Sequence, residues 1–403
     1  MPPVSTKQIL VAGGAIGLGA YALVKAKYFW PWTLKQWLML VQEEALSPEE
    51  EILDAHIHYW DHLTEENRVP VMMALAKIRV YMGTRLLRFI MSLGRDPYQT
   101  GFYNMHFGPA RSMDSFLDRW LAGEMKKEFN GHKVIGCVYI QCSWEESAPV
   151  SETAHQLASK EREGLPTAMV AKLVLADGVE KAEETMNKNL KDAGADPTFL
   201  VGFRAYQNSP AVVSDSSNGA DPRPLDSQES IAAAKAVGAR GFVIDLCVFH
   251  NNLPSVTTLA QKAPETTFIL DHIGIPIGVG TCAPFGKVLP EWKESMTALS
   301  KCPNVYVKLS GMGMSVFGSG FDWGAKPPTS DALVARWGPL YDFVIEAFGI
   351  DRCMFASNFP PDSVSCSYNV MWNAYKKMAS RFSAEDRRKL LRDNAIKAYN
   401  LKL

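Results

Sequence analysis

The chain reads as an α/β protein: a (β/α)8 TIM barrel with extra helices between strands 1 and 2 and an N-terminal membrane-anchor helix. Three observations predict this. Eight apolar, β-branched segments succeed one another along the 403 residues, most without alternation, as expected of parallel strands covered on both faces. Amphipathic helical stretches separate them, and repeated strand–helix units build a parallel sheet. Polar residues recur at the far ends of the segments, the level at which such barrels carry their chemistry.

Composition agrees with a single large domain. Hydrophobic residues make up 47% of the chain, enough for a barrel core. The formal net charge is −1 with Lys and Arg scattered, so a nucleic-acid partner has no support. The seven cysteines are odd in number, contain no Cys-x-x-Cys and sit partly in apolar runs such as Gly136-Cys137-Val138. Together with the absence of Asn-x-Ser/Thr, this fits free thiols in a reducing compartment such as the cytosol.

Residues 1–33 read as a membrane anchor or targeting segment. Gln8 to Val24 is uncharged and apolar, and at ~1.5 Å per residue it reaches roughly 25 Å, the short limit for a span. Lys25, Lys27, Tyr28, Phe29, Trp30 and Trp32 follow, as at a bilayer interface. The expectation is a single-pass, uncleaved anchor with the barrel on the cytosolic side. A cleaved targeting peptide is the alternative, although Ala20-Tyr21-Ala22 falls inside the apolar run.

Residues 34–50 read as a linker, with a short helix over Leu34–Glu44, and residues 51–403 as the barrel domain. The strands are expected at Ile52–His58, Val134–Gln141, Met169–Leu175, Phe199–Ala205, Gly241–Val248, Thr267–His272, Asn304–Ser310 and Cys353–Ser357. Helices are expected at Ser151–Glu163, Val179–Asp192, Ser227–Val237, Trp292–Lys301 and Ala332–Phe348. The first gap is too long for one crossover, so Met72–Leu93 and Ser112–Phe129 supply the extra helices. Ser383-Ala384-Glu385-Asp386 opens a closing amphipathic helix through Tyr399. The turn-rich loops Asn208–Asp226, Gly274–Pro290 and Gly311–Pro328 all follow strands and are candidate lids.

The strand ends carry His56 and His58, Gln141 with Trp144 and Glu145, then Arg204 and Tyr206. Asp245 with His250 and Asn251 comes next, then Asp271-His272, Lys308 with Ser310, and Asn358 with Asp362. In His56-Ile57-His58 both imidazoles fall on one side of the strand. Any one of these residues has a bland explanation: a satisfied core histidine, a turn-holding aspartate, an Arg204 or Lys308 ion pair. As a set at one level they are costly in a core unless they line a wet cavity.

In order, Asp54-Ala55-His56-Ile57-His58, Val201-Gly202-Phe203-Arg204, Asp245-Leu246-Cys247-Val248 and Leu270-Asp271-His272-Ile273-Gly274 resemble stretches of one family. Val305-Tyr306-Val307-Lys308-Leu309-Ser310-Gly311, Phe355-Ala356-Ser357-Asn358-Phe359-Pro360 and Asp393-Asn394-Ala395 continue the match. The family is the amidohydrolase-related branch of the amidohydrolase superfamily, and the nearest likeness is to sugar-lactone and 2-pyrone-4,6-dicarboxylate lactonases. The resemblance implies catalytic roles for His56, His58, His272, Asn358 and Lys308, and substrate binding by Arg204, Gln141, Tyr206, Asp245 and Asp362. It implies His56, His58 and His272 as ligands of one divalent metal, zinc or manganese, or a site that works without metal. The family's last strand normally ends in an aspartate that ligates metal and activates water. Here Asn358 stands there, and an amide has no acid–base chemistry near pH 7. Arg204 also ends the fourth strand where a bridging lysine would be needed for a binuclear site.

The expected reaction is opening of a lactone or similar ester-like bond of a small, anionic substrate. Lys308 or Arg204 would stabilise the oxyanion and anchor a carboxylate, and the three histidines would bind the carbonyl oxygen, directly or through a metal. The base stays open among Asp245, Asp271, Asp362 and the histidines. The alternatives are a metal-dependent decarboxylase of the same fold, and a membrane-anchored barrel that binds ligand without turnover. The expected partners are the small molecule and the membrane, with homo-oligomerisation left open.

Overall fold

The computed structural model describes residues 33–60, 103–104, 120–142, 144, 148, 150–194, 196–209, 212–213 and 220–402. Eight strands form its centre: β1 Glu51–Ile57, β2 Lys133–Ile140, β3 Ala168–Lys172, β4 Leu200–Gln207, β5 Val243–Cys247, β6 Phe268–Leu270, β7 Val305–Leu309 and β8 Cys353–Phe355. They are hydrogen-bonded in chain order from β1 to β8, every pair parallel. The order fits right-handed strand–helix–strand units wound in one direction.

The ring meets itself just beyond β8. Ile57 bridges Phe359; Asn358 N–H donates to His56 O at 2.9 Å, and His58 N–H donates to Phe359 O at 2.8 Å. Asp54 clamps the same seam, its Oδ1 accepting from Ser357 N–H at 2.9 Å and its Oδ2 from the Tyr368 hydroxyl at 3.1 Å. Burial pushes the Asp54 carboxyl up to about 6, because desolvation outweighs these donors.

Helices α1 Leu34–Leu38, α2 Ala122–Glu128, α3 Glu152–Glu163, α4 Gly178–Ala193, α5 Gln228–Ala239, α6 Leu253–Lys262, α7 Leu289–Leu299, α8 Ser330–Phe348 and α9 Tyr368–Ala379 surround the strands. Ser or Thr side chains cap α1, α3, α5, α8 and α9, each accepting a first-turn amide. The lower interior is filled by small and branched residues, among them Ala55, Val138, Val170, Ile269 and Met354. Tyr399 and Leu401, after the last short helix α10 Asn394–Ala398, enter that cluster as its floor.

The stretch read as a linker packs against the barrel. Its helix stops at Leu38 rather than Glu44; Leu34, Trp37 and Leu38 are buried in the main core. Glu43 accepts from Ser330 N–H at 2.8 Å and from Asn373 Nδ2 at 3.0 Å, which ties the stretch to α8 and α9. Of the extra helices, α2 lies in the expected Ser112–Phe129, whereas Met72–Leu93 lies outside the described residues. Trp60 and Trp120 are paired by two backbone hydrogen bonds of 2.8 Å.

The expected membrane anchoring is corrected. Among the described residues no helix is long and apolar enough to cross a membrane, and Gln8–Val24 lies outside the described residues. The single-pass anchor expected from the lysine-flanked apolar run therefore has no support among the described residues.

The candidate lids after β6 and β7 are joined. Gly278 N–H donates to Val316 O at 2.9 Å, and a Cβ on Gly278 or Gly318 would collide with the other strand of chain. Their glycines serve that close crossing.

Candidate active site

At the centre of the barrel the ammonium of Lys308 sits among three acceptors. Its Nζ lies 2.5 Å from Asp245 Oδ2, 2.9 Å from Asp271 Oδ1 and 3.1 Å from His56 Nδ1. An ammonium has three protons and no lone pair, so His56 Nδ1 accepts and its ring proton rests on Nε2. That nitrogen faces His58 Nε2 at 3.1 Å, and His58 Nδ1 lies 2.7 Å from Ile140 O. One tautomer assignment satisfies the row: His56 Nε2–H donates to His58 Nε2, and His58 Nδ1–H donates to the carbonyl.

His272 reaches the same place by an unusual backbone. After β6 the chain turns through left-handed conformations, φ being 54° at His272, 52° at Ile273 and 30° at Ile275, strained for side-chain-bearing and especially β-branched residues. The turn brings the His272 ring to 4.6 Å from that of His56, centroid to centroid, with Nδ1 2.9 Å from Ser310 Oγ. Gly311 leaves the space: a Cβ there would lie 2.5 Å from the His272 ring.

Burial dominates the ionisation of all three rings. It holds His56 and His58 well below the ordinary imidazole range, with Lys308 and Arg204 adding to the shift, respectively. It takes His272 down to about 3 against the opposing pull of Asp271. All three are neutral imidazoles. Of the two carboxylates that share Lys308, burial pushes Asp245 up to about 6. For Asp271 the cation and the neighbouring rings outweigh burial and hold it well below the usual range. Neither Asp271 oxygen makes a hydrogen bond of good geometry among the described residues; its contacts are the ion pair to Lys308 and a 3.3 Å approach to His56 Nδ1.

Other expected residues are placed differently. Lys308 was read as a cation open to substrate; it is instead fully buried between Asp245 and Asp271. Asp245 was read as substrate-binding; its oxygens are held by Lys308 and by the Tyr399 hydroxyl at 2.9 and 2.8 Å, beneath the histidines. Asp362 accepts from Asn358 Nδ2 at 2.6 Å and from Gly313 N–H at 3.0 Å, and burial pushes its carboxyl well up. Asn358, at φ 51°, thus turns its amide to Asp362. Arg204 Nη2 donates to the carbonyl of Gln141 at 2.7 Å; its Nε has no hydrogen-bond partner, and no described carboxylate lies within ion-pair distance. Gln141 and Tyr206 are buried; Gln141 also lines a cavity of about 300 Å³ between α3 and α4, with Trp144, Lys172 and Lys188. His250 is buried, its Nδ1 accepting from Ile277 N–H at 3.4 Å, and Glu145 lies outside the described residues.

Sequence reasoning missed Tyr399. Its signal was present, a tyrosine on the buried face of the closing helix, but that pattern reads as packing.

His56, Asp271 and His272 bring ligand atoms within 4.8 Å of one another, so Asp271 enters the set expected for a metal while His58 stands beside it. Neutral imidazoles and an ionised carboxylate are suitable donors for zinc or manganese, and Asp271 Oδ2, buried without a hydrogen-bond partner among the described residues, fits such a role. Lys308 already fills the space between Asp271 and His56 Nδ1. His56, Asp271 and His272 are the residues that would hold the ion.

An amidohydrolase family model matches residues 53–401. An uncharacterised protein of Sinorhizobium fredii, y4mH, is 27% identical over 87% of this chain and 98% of its own length. An L-fucono-1,5-lactonase of Burkholderia multivorans is 29% identical over 40% of this chain and 53% of its own. Among solved structures, a zinc-bound amidohydrolase of Burkholderia multivorans superposes with TM-score 0.60 at 22% identity, covering 87% of this chain and 99% of that one. A manganese-bound 5-carboxyvanillate decarboxylase of Novosphingobium aromaticivorans gives 0.51 at 12%, covering 89% and 98%; at these identities the likeness is one of fold. With the family model spanning the barrel from β1 to the C-terminal turn, the chain belongs to the amidohydrolase family.

Proposed function

We propose that the protein is a hydrolase that opens a lactone, or a similar ester-like bond, of a small carboxylate-bearing substrate. One observation carries the reading: three neutral histidines, His56, His58 and His272, cluster beside Arg204, a buried cation with no ion-pair carboxylate among the described residues. Arg204 would take the substrate carboxylate by charge-assisted hydrogen bonds. His272 would hold the ester carbonyl, while His58, engaged by His56 and by the Ile140 carbonyl, keeps the row of rings in place. Lys308 is a fixed charge below them; with its donors engaged by Asp245, Asp271 and His56, it orients the site rather than reaching the substrate. Where a divalent metal is bound, on His56 and His272 with Asp271 beside them, it supplies Lewis-acid polarisation of the carbonyl. The lactonase relatives support the bond type.

The test is hydrolysis of a panel of neutral and carboxylated sugar lactones, with metal content measured on the purified protein. Turnover lost in His272→Ala supports the reading. No turnover of any lactone, with release of carbon dioxide from an aromatic acid, replaces it by the decarboxylase. Tight lactone binding without turnover replaces it by a binding barrel.

A further inference from the structure

We propose that Tyr399, near the end of the chain, is a positioning residue for the site: its hydroxyl holds Asp245 and, through Asp245, sets Lys308 against His56 and Asp271. The Tyr399 ring lies in an apolar floor with Val201, Val243, Ile269 and Met354. A hydroxyl buried there must find a partner. It lies 2.9 Å from Asp245 Oδ1 and 2.8 Å from Oδ2, astride the carboxylate, and so fixes the carboxylate plane.

The consequence runs upward. Asp245 Oδ2 receives Lys308 at 2.5 Å, and the remaining two protons of the ammonium face Asp271 and His56. A lysine head on a four-carbon stem has no shape of its own to fix it; these three acceptors do so, and two of them stand above the floor. Lys308 Nζ also lies 5.5 Å from the centre of the Tyr399 ring, within cation–π range. The C-terminal turn therefore touches both members of the pair that carries the site.

A tyrosine that only filled the floor would be replaced without loss by phenylalanine, which keeps the ring. The test is Tyr399→Phe beside Leu401→Ala, which removes packing from the same floor without touching Asp245. Two quantities are read: kcat and KM on the hydrolysed lactone, and the ring ¹⁵N resonances of His56 in labelled protein. Tyr399→Phe should lower kcat about ten- to a hundredfold with KM little changed, and shift the His56 Nδ1 resonance. Leu401→Ala should lower Tm while leaving both readouts at wild type. Wild-type kcat and an unmoved His56 resonance in Tyr399→Phe overturn the inference, as does a Leu401→Ala protein that changes both equally. The kinetic arm rests on the lactonase reading. Should the wild type hydrolyse no lactone, that reading fails, and the His56 resonance alone decides the role of Tyr399.

Discussion

Lys308 Nζ and Asp245 Oδ2 are 2.5 Å apart with neither side chain exposed to solvent. Lys308→Met would leave Asp245 and Asp271 buried without their cation, which costs about 3–5 kcal/mol when one partner of a buried pair is removed. Urea denaturation at pH 7 should show that loss, and adding Asp245→Asn should recover part of it by removing one stranded charge. A Lys308→Met protein as stable as the wild type would mean that the pair does not form.

Arg204→Met removes a guanidinium with no described carboxylate partner, so folding should change little. The KM for a carboxylated lactone should rise on the order of tenfold or more, the equivalent of a charge-assisted hydrogen bond, and far less for a neutral lactone. Equal effects on the two substrates would assign Arg204 to holding the Gln141 carbonyl instead.

Asn358→Asp sets a second carboxylate against Asp362, where Nδ2 now donates at 2.6 Å. The variant loses the amide donor and buries a second carboxyl beside one whose ionisation burial already opposes, so Tm in chelator should fall. Added zinc or manganese should restore more stability to the variant than to the wild type, because an anionic ligand has been supplied near His56. Calorimetric titration of metal into both proteins reads this directly. Identical affinities would remove position 358 from the metal's surroundings.

Away from the site, His132 gives a pH signature. Burial, with Lys376 Nζ 3.2 Å from Nδ1, brings its imidazole down to about 4. Between pH ~6.5 and ~4 the unfolded chain binds a proton there that the folded protein does not, so stability is lost as pH falls through that window. The contribution is at most about 3 kcal/mol. His132→Gln should flatten the stability profile between those limits relative to wild type; an unchanged slope would mean that His132 is protonated in the fold.

The barrel was legible because its strands are buried on both faces. Runs such as Val305-Tyr306-Val307 announce that without needing a partner's identity, and β1 to β8 fall within about two residues of the expected spans at most ends. The histidines were legible because period two puts His56 and His58 on one face. Depth was not legible. Arg204 and Asp245 are register partners on neighbouring strands, yet the Asp245 carboxylate reaches Lys308 on β7 and Tyr399 from below. A one-dimensional pattern gives the side of a strand on which a residue lies, not the partner it meets across a closed ring. His272 depends on left-handed backbone at two non-glycine residues, for which Ile273 gave no cue.

The Trp60–Trp120 pair also bears on the histidine row. Two hydrogen bonds at one point fix the two ends of the connection between β1 and β2 to each other, and closing a loop costs entropy that grows only with the logarithm of its length, about 0.6 kcal/mol per doubling. The Trp60 ring lies 6.2 Å from that of His58, tilted by 31°, which puts that joint beside the histidine row. The connection between the first two strands thus begins and ends within reach of the histidine row.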